Sequence, residues 1–284
     1  MGYKTISVTI TDSQADAPVL AAAAALAQRE DAHLDVYCVG VDQARYVSIA
    51  DGSAAMLMEL GLEEARKQSA LLGTWAKAAL PFDLEKSSVQ TGIVSQLGLE
   101  SDAARLVRYS DLVVTGKPYG KGHSSLQVAV LEAALFGTNA PVFIVPDKPA
   151  NKSDAMTKPF SRIMVAWNES DEALSAIRRS LPLLQSAKHV DVVLVDPPSH
   201  SAERSDPGGS VSLFLARHGV KAEVSILARS LPQVSAVLLR FARENGVDAI
   251  VMGAYGHSRF REAILGGATR DMLELADIPV IMAR

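Results

Sequence analysis

With 284 residues, 48% of them apolar, the chain can bury a sizeable core, more readily as two domains than as one. Its net charge of −4, with no basic run interleaved with aromatics, argues against nucleic-acid binding. No apolar run approaches the ~18 residues of a membrane span, and a lone cysteine excludes an internal disulfide and fits a reducing, cytoplasmic setting.

The opening Met1-Gly2-Tyr3-Lys4-Thr5 runs directly into a strand pattern at Ile6–Ile10, without the basic and apolar regions of a secretion leader. Cys38 lies inside the apolar run Leu34–Val39 and reads as a small buried hydrophobe, not a nucleophile. Between Asp42 and Pro81 the pattern predicts a long amphipathic helix carrying Met56, Leu57, Leu60, Glu63, Glu64 and Trp75. Its simplest role is to lie on a sheet; the functional alternative is a lid or partner-binding surface. Asp111–Gly116 reads as a strand, and Gly116–Gly122 as a turn. That turn lacks the spacing and the Gly-Lys-Ser/Thr ending of a phosphate loop, and Pro118 removes an N–H donor.

The second half repeats the first. Ile6–Ser13 resembles Ile163–Ser170, Asp111–Gly116 resembles Asp248–Gly253, and Pro141–Val145 resembles Pro279–Ala283. Strands are expected near 162–167, 190–196, 221–228, 247–252 and 279–283. A helix is expected over 233–245, where Val234, Val237, Leu238, Phe241 and Ala242 form an apolar stripe ended by Asn245-Gly246. Alternating strands and helices predict an α/β fold: two tandem open-sheet, Rossmann-like domains of five parallel strands, with helices on both faces. The expected boundaries are 1–147, a polar linker at 148–160, and 161–284. The repeat offset shrinks from 157 residues at the first strand to 137 at the fourth, which places about twenty extra residues in the long helix of the first copy.

The richest segment for chemistry is Met252-Gly253-Ala254-Tyr255-Gly256, followed by Gly266-Gly267-Ala268-Thr269. It joins an apolar strand to a helix start. Glycines there let backbone N–H groups approach an anion, and the helix dipole adds partial positive charge. In open parallel sheets ligands bind at the carboxyl ends of the strands, where this segment sits.

On these residues the chain resembles the universal stress protein family in its tandem form. Gly253, Gly256 and Gly266 match the glycine spacing of the members that bind ATP; Gly267 stands where they carry Ser or Thr, and Thr269 follows at a second phosphate-contacting position. The resemblance implies ATP at the second domain, with Ala166, Trp167 and Asn168 bordering the adenosine and Val195 and Asp196 meeting the adenine. It places Met252, His257, Arg259 and Ala268 in the same pocket. Asn168 replaces the usual Asp, so Mg²⁺ handling is left open. In the first copy Val128-Ala129 stands opposite Gly266-Gly267, so that copy is read as degenerate, with one nucleotide per chain. The output is expected to be conformational or partner-directed, with no dedicated catalytic residues. The alternatives are a slow ATP hydrolase, or a nucleotide-free scaffold holding an apolar ligand or a protein partner. The closing strands are expected to pair as an intrachain pseudo-dimer, with a homodimer left open.

Overall fold

The computed structural model describes residues 2–42, 53–96, 98–120, 125–147, 156–197, 205–254 and 267–284, with side chains from residue 58 onward in the long helix. The chain divides into two compact units: Tyr3–Thr138, and Asn139–Arg284 together with Met1–Gly2.

The first unit runs β1 (Thr5–Ile10), α1 (Ala17–Glu30), β2 (His33–Asp42), α2 (Ser53–Ala79), β3 (Ser87–Ser95), α3 (Leu99–Leu106), β4 (Leu112–Gly116) and α4 (Ser125–Gly137). Its strands lie in the order β3-β2-β1-β4, all parallel. Ile6, Val8 and Ile10 of β1 are fully buried beside Leu34, Val36 and Cys38 of β2. Cys38 is inert as expected: burial pushes its thiol up to about 11.

The expected long helix is α2, and it packs on the sheet through Ala65, Ser69, Leu72 and Ala76. The Ser69 hydroxyl donates to the Cys38 carbonyl at 3.3 Å. Gly40 permits the closest approach, because a Cβ there would overlap the Ala65 carbonyl.

The second unit runs β5 (Val142–Val145), β6 (Arg162–Ala166), α5 (Asp171–Arg179), α6 (Leu181–Ser186), β7 (His189–Val195), α7 (Gly209–Arg217), β8 (Ala222–Leu227), α8 (Val234–Glu244), β9 (Ala249–Gly253), α9 (Gly267–Leu275) and β10 (Val280–Ala283). Its strand order is β5-β10-β9-β6-β7-β8. Every described pairing here is parallel except β5 with β10, which is antiparallel, with Val280 opposite Ile144 and Met282 opposite Val142.

Three features differ from the sequence reading. The closing strand of the first copy, β5, sits in the second compact unit because its backbone bonds β10. The tail of the linker is not solvated: Met156 and Phe160 are buried, and the Phe160 ring stacks on Phe143 with centroids 6.3 Å apart. One helix divides in two, because Pro182 near the start of α6 has no N–H to continue α5.

The repeat reaches single hydrogen bonds. Asp111 accepts from the N–H groups of Lys4 and Thr5 at 2.7 and 3.0 Å. Asp248, its counterpart, accepts from Ser161 and Arg162 at 2.7 and 2.9 Å. Each carboxylate satisfies the donors that enter the first strand of its copy.

Candidate functional site

In the second unit the connections from β6 and from β9 leave the sheet in opposite directions. These two strands are neighbours, and their carboxyl ends open a crevice. A cavity of about 320 Å³ lies there. Its floor is Ala166 and Trp167 from the end of β6, Val193, Leu194 and Val195 from β7, and Met252 and Gly253 from β9. Val234 and Leu238 of α8 and Ala268 of α9 complete an apolar slot, and Asn168, Glu169 and Asp196 form the polar rim, with Pro197 beside them.

The local structure of each element explains these positions. Trp167 is 8% exposed, its backbone N–H donates to the Val193 carbonyl at 3.0 Å, and its indole N–H is buried without an acceptor among the described residues. The Asn168 side-chain oxygen is committed locally, accepting from the Ser170 hydroxyl at 2.8 Å and its N–H at 3.3 Å. Ser170 in turn caps α5, accepting from the Ala173 N–H at 3.1 Å. Glu169 and Asp196 follow β6 and β7 with φ of 61° and 49°, left-handed values that side chains other than Asn, Asp and Gly seldom adopt. For Glu169 such strain costs about 1–3 kcal/mol, and strain of this kind collects at ligand sites.

Gly253 has a steric reason for being glycine beside the one the sequence suggests. A Cβ there would lie 2.5 Å from the Ala173 nitrogen and 2.7 Å from the Glu172 carbonyl carbon, both backbone atoms. Its missing Cβ lets the end of β9 approach the N-terminus of α5. Gly267, by contrast, faces open space at the first residue of α9.

Ala166, Trp167, Asn168, Val195, Asp196, Met252, Gly253 and Ala268 are thus brought to one cavity. Gly267 and Thr269 lie on the first turn of α9 but do not line it, and Thr269 is buried. Gly256, His257, Arg259 and Gly266 lie outside the described residues. Sequence reasoning missed Glu169, Val193, Leu194, Pro197, Val234 and Leu238. The stripe on α8 was legible, but the register that turns Val234 and Leu238 towards the end of β7 was not. The described wall contains two carboxylates and no Lys or Arg.

The corresponding place in the first unit is filled. With Ile6 matched to Ile163, strand registers set Tyr37 where the second unit has Val193. Val39, Val41, Val94 and Leu99 form a buried cluster there, with Tyr37, Leu106, Leu126 and Ala129 packed against it. Ala129 is the residue aligned with Gly267. The loop after β1 is also self-satisfied: buried Asp16 accepts from the Thr11 N–H at 2.8 Å, the Thr11 hydroxyl at 3.3 Å and the Asp12 N–H at 3.0 Å.

Comparison with known proteins gives the same picture. Residues 159–284 match the sequence model of the universal stress protein family. Universal stress protein Slr1230 from Synechocystis sp. is 33% identical over 76 residues, which is 27% of this chain and 25% of that protein; the match thus spans about a quarter of this curated relative's length. A universal stress protein from Archaeoglobus fulgidus superposes with a TM-score of 0.67 at 15% identity, covering 99% of this chain and 96% of that one. A protein of unknown function from Pseudomonas aeruginosa superposes with a TM-score of 0.56 at 16% identity, covering 99% and 92%. These structural likenesses show a shared fold across both repeats. The sequence match covers residues 159–284, the part of the chain that also holds the cavity, and there the chain is similar to the universal stress protein family.

Proposed function

We propose that this chain is a stress-response protein that binds one adenine nucleotide, ATP, in the cavity of its second repeat and acts through conformation or partners. One observation supports this reading most. An apolar slot in a cavity of about 320 Å³ lies at the carboxyl ends of β6, β7 and β9, and α9 begins at Gly267, next to the lining residue Ala268. In this reading the base enters between Val193, Val195, Val234 and Leu238, and the sugar reaches the Asn168 and Asp196 rim. The phosphates run towards the N-terminus of α9 at Gly267. Among the described residues no group of three His, Cys, Asp or Glu could hold a metal ion. Mg²⁺ would therefore come with the triphosphate it neutralises.

The filled counterpart in the first unit supports a stoichiometry of one. The protein is expected to co-purify with nucleotide, read by mass spectrometry after denaturation, and to bind ATP at one site with a Kd in the micromolar range, about −8 kcal/mol. Calorimetry showing two equivalent sites, or no heat with any adenine nucleotide, would overturn it. The carboxylate-lined rim without a described cation favours a second reading, an uncharged ligand such as a nucleoside. Tighter binding of adenosine than of ATP would select it.

A further inference from the structure

The outer face of α2 carries Leu60, Glu64, Lys67 and Leu71, spaced 4, 3 and 4 so that they form one stripe. All four are exposed, Leu60 by 56% and Leu71 by 63%. The equally spaced stripe Ala65, Ser69, Leu72 and Ala76 is the buried one, turned to the sheet of its own unit. The outer stripe therefore faces away from that sheet. Neither Glu64 nor Lys67 takes part in an ion pair among the described residues.

Reversed in direction, Leu-Glu-Lys-Leu is its own complement. Laid against a second α2 running the opposite way, Leu60 meets the partner's Leu71 and Glu64 meets the partner's Lys67, each twice by symmetry. In parallel register Glu64 would face Glu64 and Lys67 would face Lys67. Charges at the centre of a helix seam fix orientation in this way, at some cost in strength. We propose that this face of α2 is the contact through which two copies of the chain pair, antiparallel and about a two-fold axis between residues 65 and 66. Exposed ion pairs contribute little each, and one helix pair is smaller than a standard interface. The dimer is therefore weak, forming at roughly tens to hundreds of micromolar, and weakened by salt. This inference is independent of whether the cavity takes nucleotide.

Sedimentation equilibrium of the full chain tests it. The wild-type chain is expected to show a monomer–dimer equilibrium. Glu64→Lys alone or Lys67→Glu alone should weaken that equilibrium about tenfold or more, since each turns two attractions into repulsions. The double variant should restore it to within about threefold. These solvent-facing changes should leave the circular dichroism and the melting curve unchanged, which separates lost pairing from lost folding. For orientation, chains carrying Leu60→Cys mixed with chains carrying Leu71→Cys should cross-link on oxidation, and neither variant should cross-link alone. The proposal is overturned if the chain stays monomeric throughout the range or if its association ignores both single changes. Failure of the double variant to recover, or cross-linking of either cysteine variant alone, overturns it equally.

Discussion

Gly253 and Gly267 show how one residue type serves different ends. Gly253→Ala forces a Cβ against two backbone atoms of α5, which can yield only if the helix shifts. Overpacking of this kind costs about 1–3 kcal/mol, readable as a lowered urea midpoint. Gly267→Ala meets nothing and should be neutral or slightly stabilising. Equal effects at the two positions would refute this account. Asp16 is held above its usual 3.8 by burial, which outweighs the bonds from Thr11 and Asp12. A raised folded pKa means that the folded chain binds this proton more tightly than the unfolded one. Its contribution to stability is therefore full below 3.8 and lost as pH rises through the folded value. Asp16→Asn keeps an acceptor and removes the titration, so it should flatten that part of the stability–pH profile. Asp16→Ala leaves the Thr11 and Asp12 N–H groups without their acceptor and should cost about 1–3 kcal/mol at neutral pH. Parallel profiles for wild type and Asp16→Asn would show that Asp16 does not titrate as argued.

The two copies use the same strand for opposite purposes. At matched positions β2 carries Tyr37 and β7 carries Val193. The ring lies against the cluster of Val39, Val41, Val94 and Leu99, whereas valine leaves the wall of a cavity. Val193→Tyr should therefore fill the slot of the second unit, lower nucleotide affinity by at least about a hundredfold (roughly 2.7 kcal/mol), and leave the fold intact. Titration calorimetry beside a melting curve reads both, and unchanged binding would place the ligand elsewhere. At the start of α5, Ser170 joins the rim to the helix. Ser170→Ala should cost about 1 kcal/mol of stability and release the Asn168 carbonyl from its turn. The expected signature is a modest loss of both stability and affinity.

Within the second unit, β5 and the segment before β6 are held to the sheet by buried aromatic contact as well as by strand pairing. Phe143 is fully buried and stacked on Phe160. Phe143→Ala should cost about 3–5 kcal/mol, and a double-mutant cycle with Phe160→Ala should return a coupling of about 0.5–1.5 kcal/mol. Zero coupling would mean that the two rings are merely neighbours. The bidentate Arg162–Asp191 pair ties β6 to β7, with the guanidinium donating at 2.5 and 2.7 Å to a carboxylate that is almost wholly buried. The Asp191 hydrogen bonds raise the Arg162 pKa still further, so the cation persists across the whole folding range.

The sequence by itself determined the fold class, the repeat, the order of strands and helices, and the half of the chain that carries the cavity. All of these are periodic or local properties. Alternation and apolar runs mark strands, stripes mark helices, and Asp111 and Asp248 recur because each first strand needs the same cap. It also determined most of the cavity floor, since residues at strand ends follow from strand ends. Only the tertiary structure decided the rest. Val193 and Leu238 lie 45 positions apart, and their convergence depends on how α8 packs on β7. That β5 joins the second unit depends on its pairing with β10, which was expected of the closing strands, but the boundary it moves to residues 138–139 was not. That Gly253 is glycine for the sake of α5 depends on atoms eighty residues away, a steric demand no local pattern records.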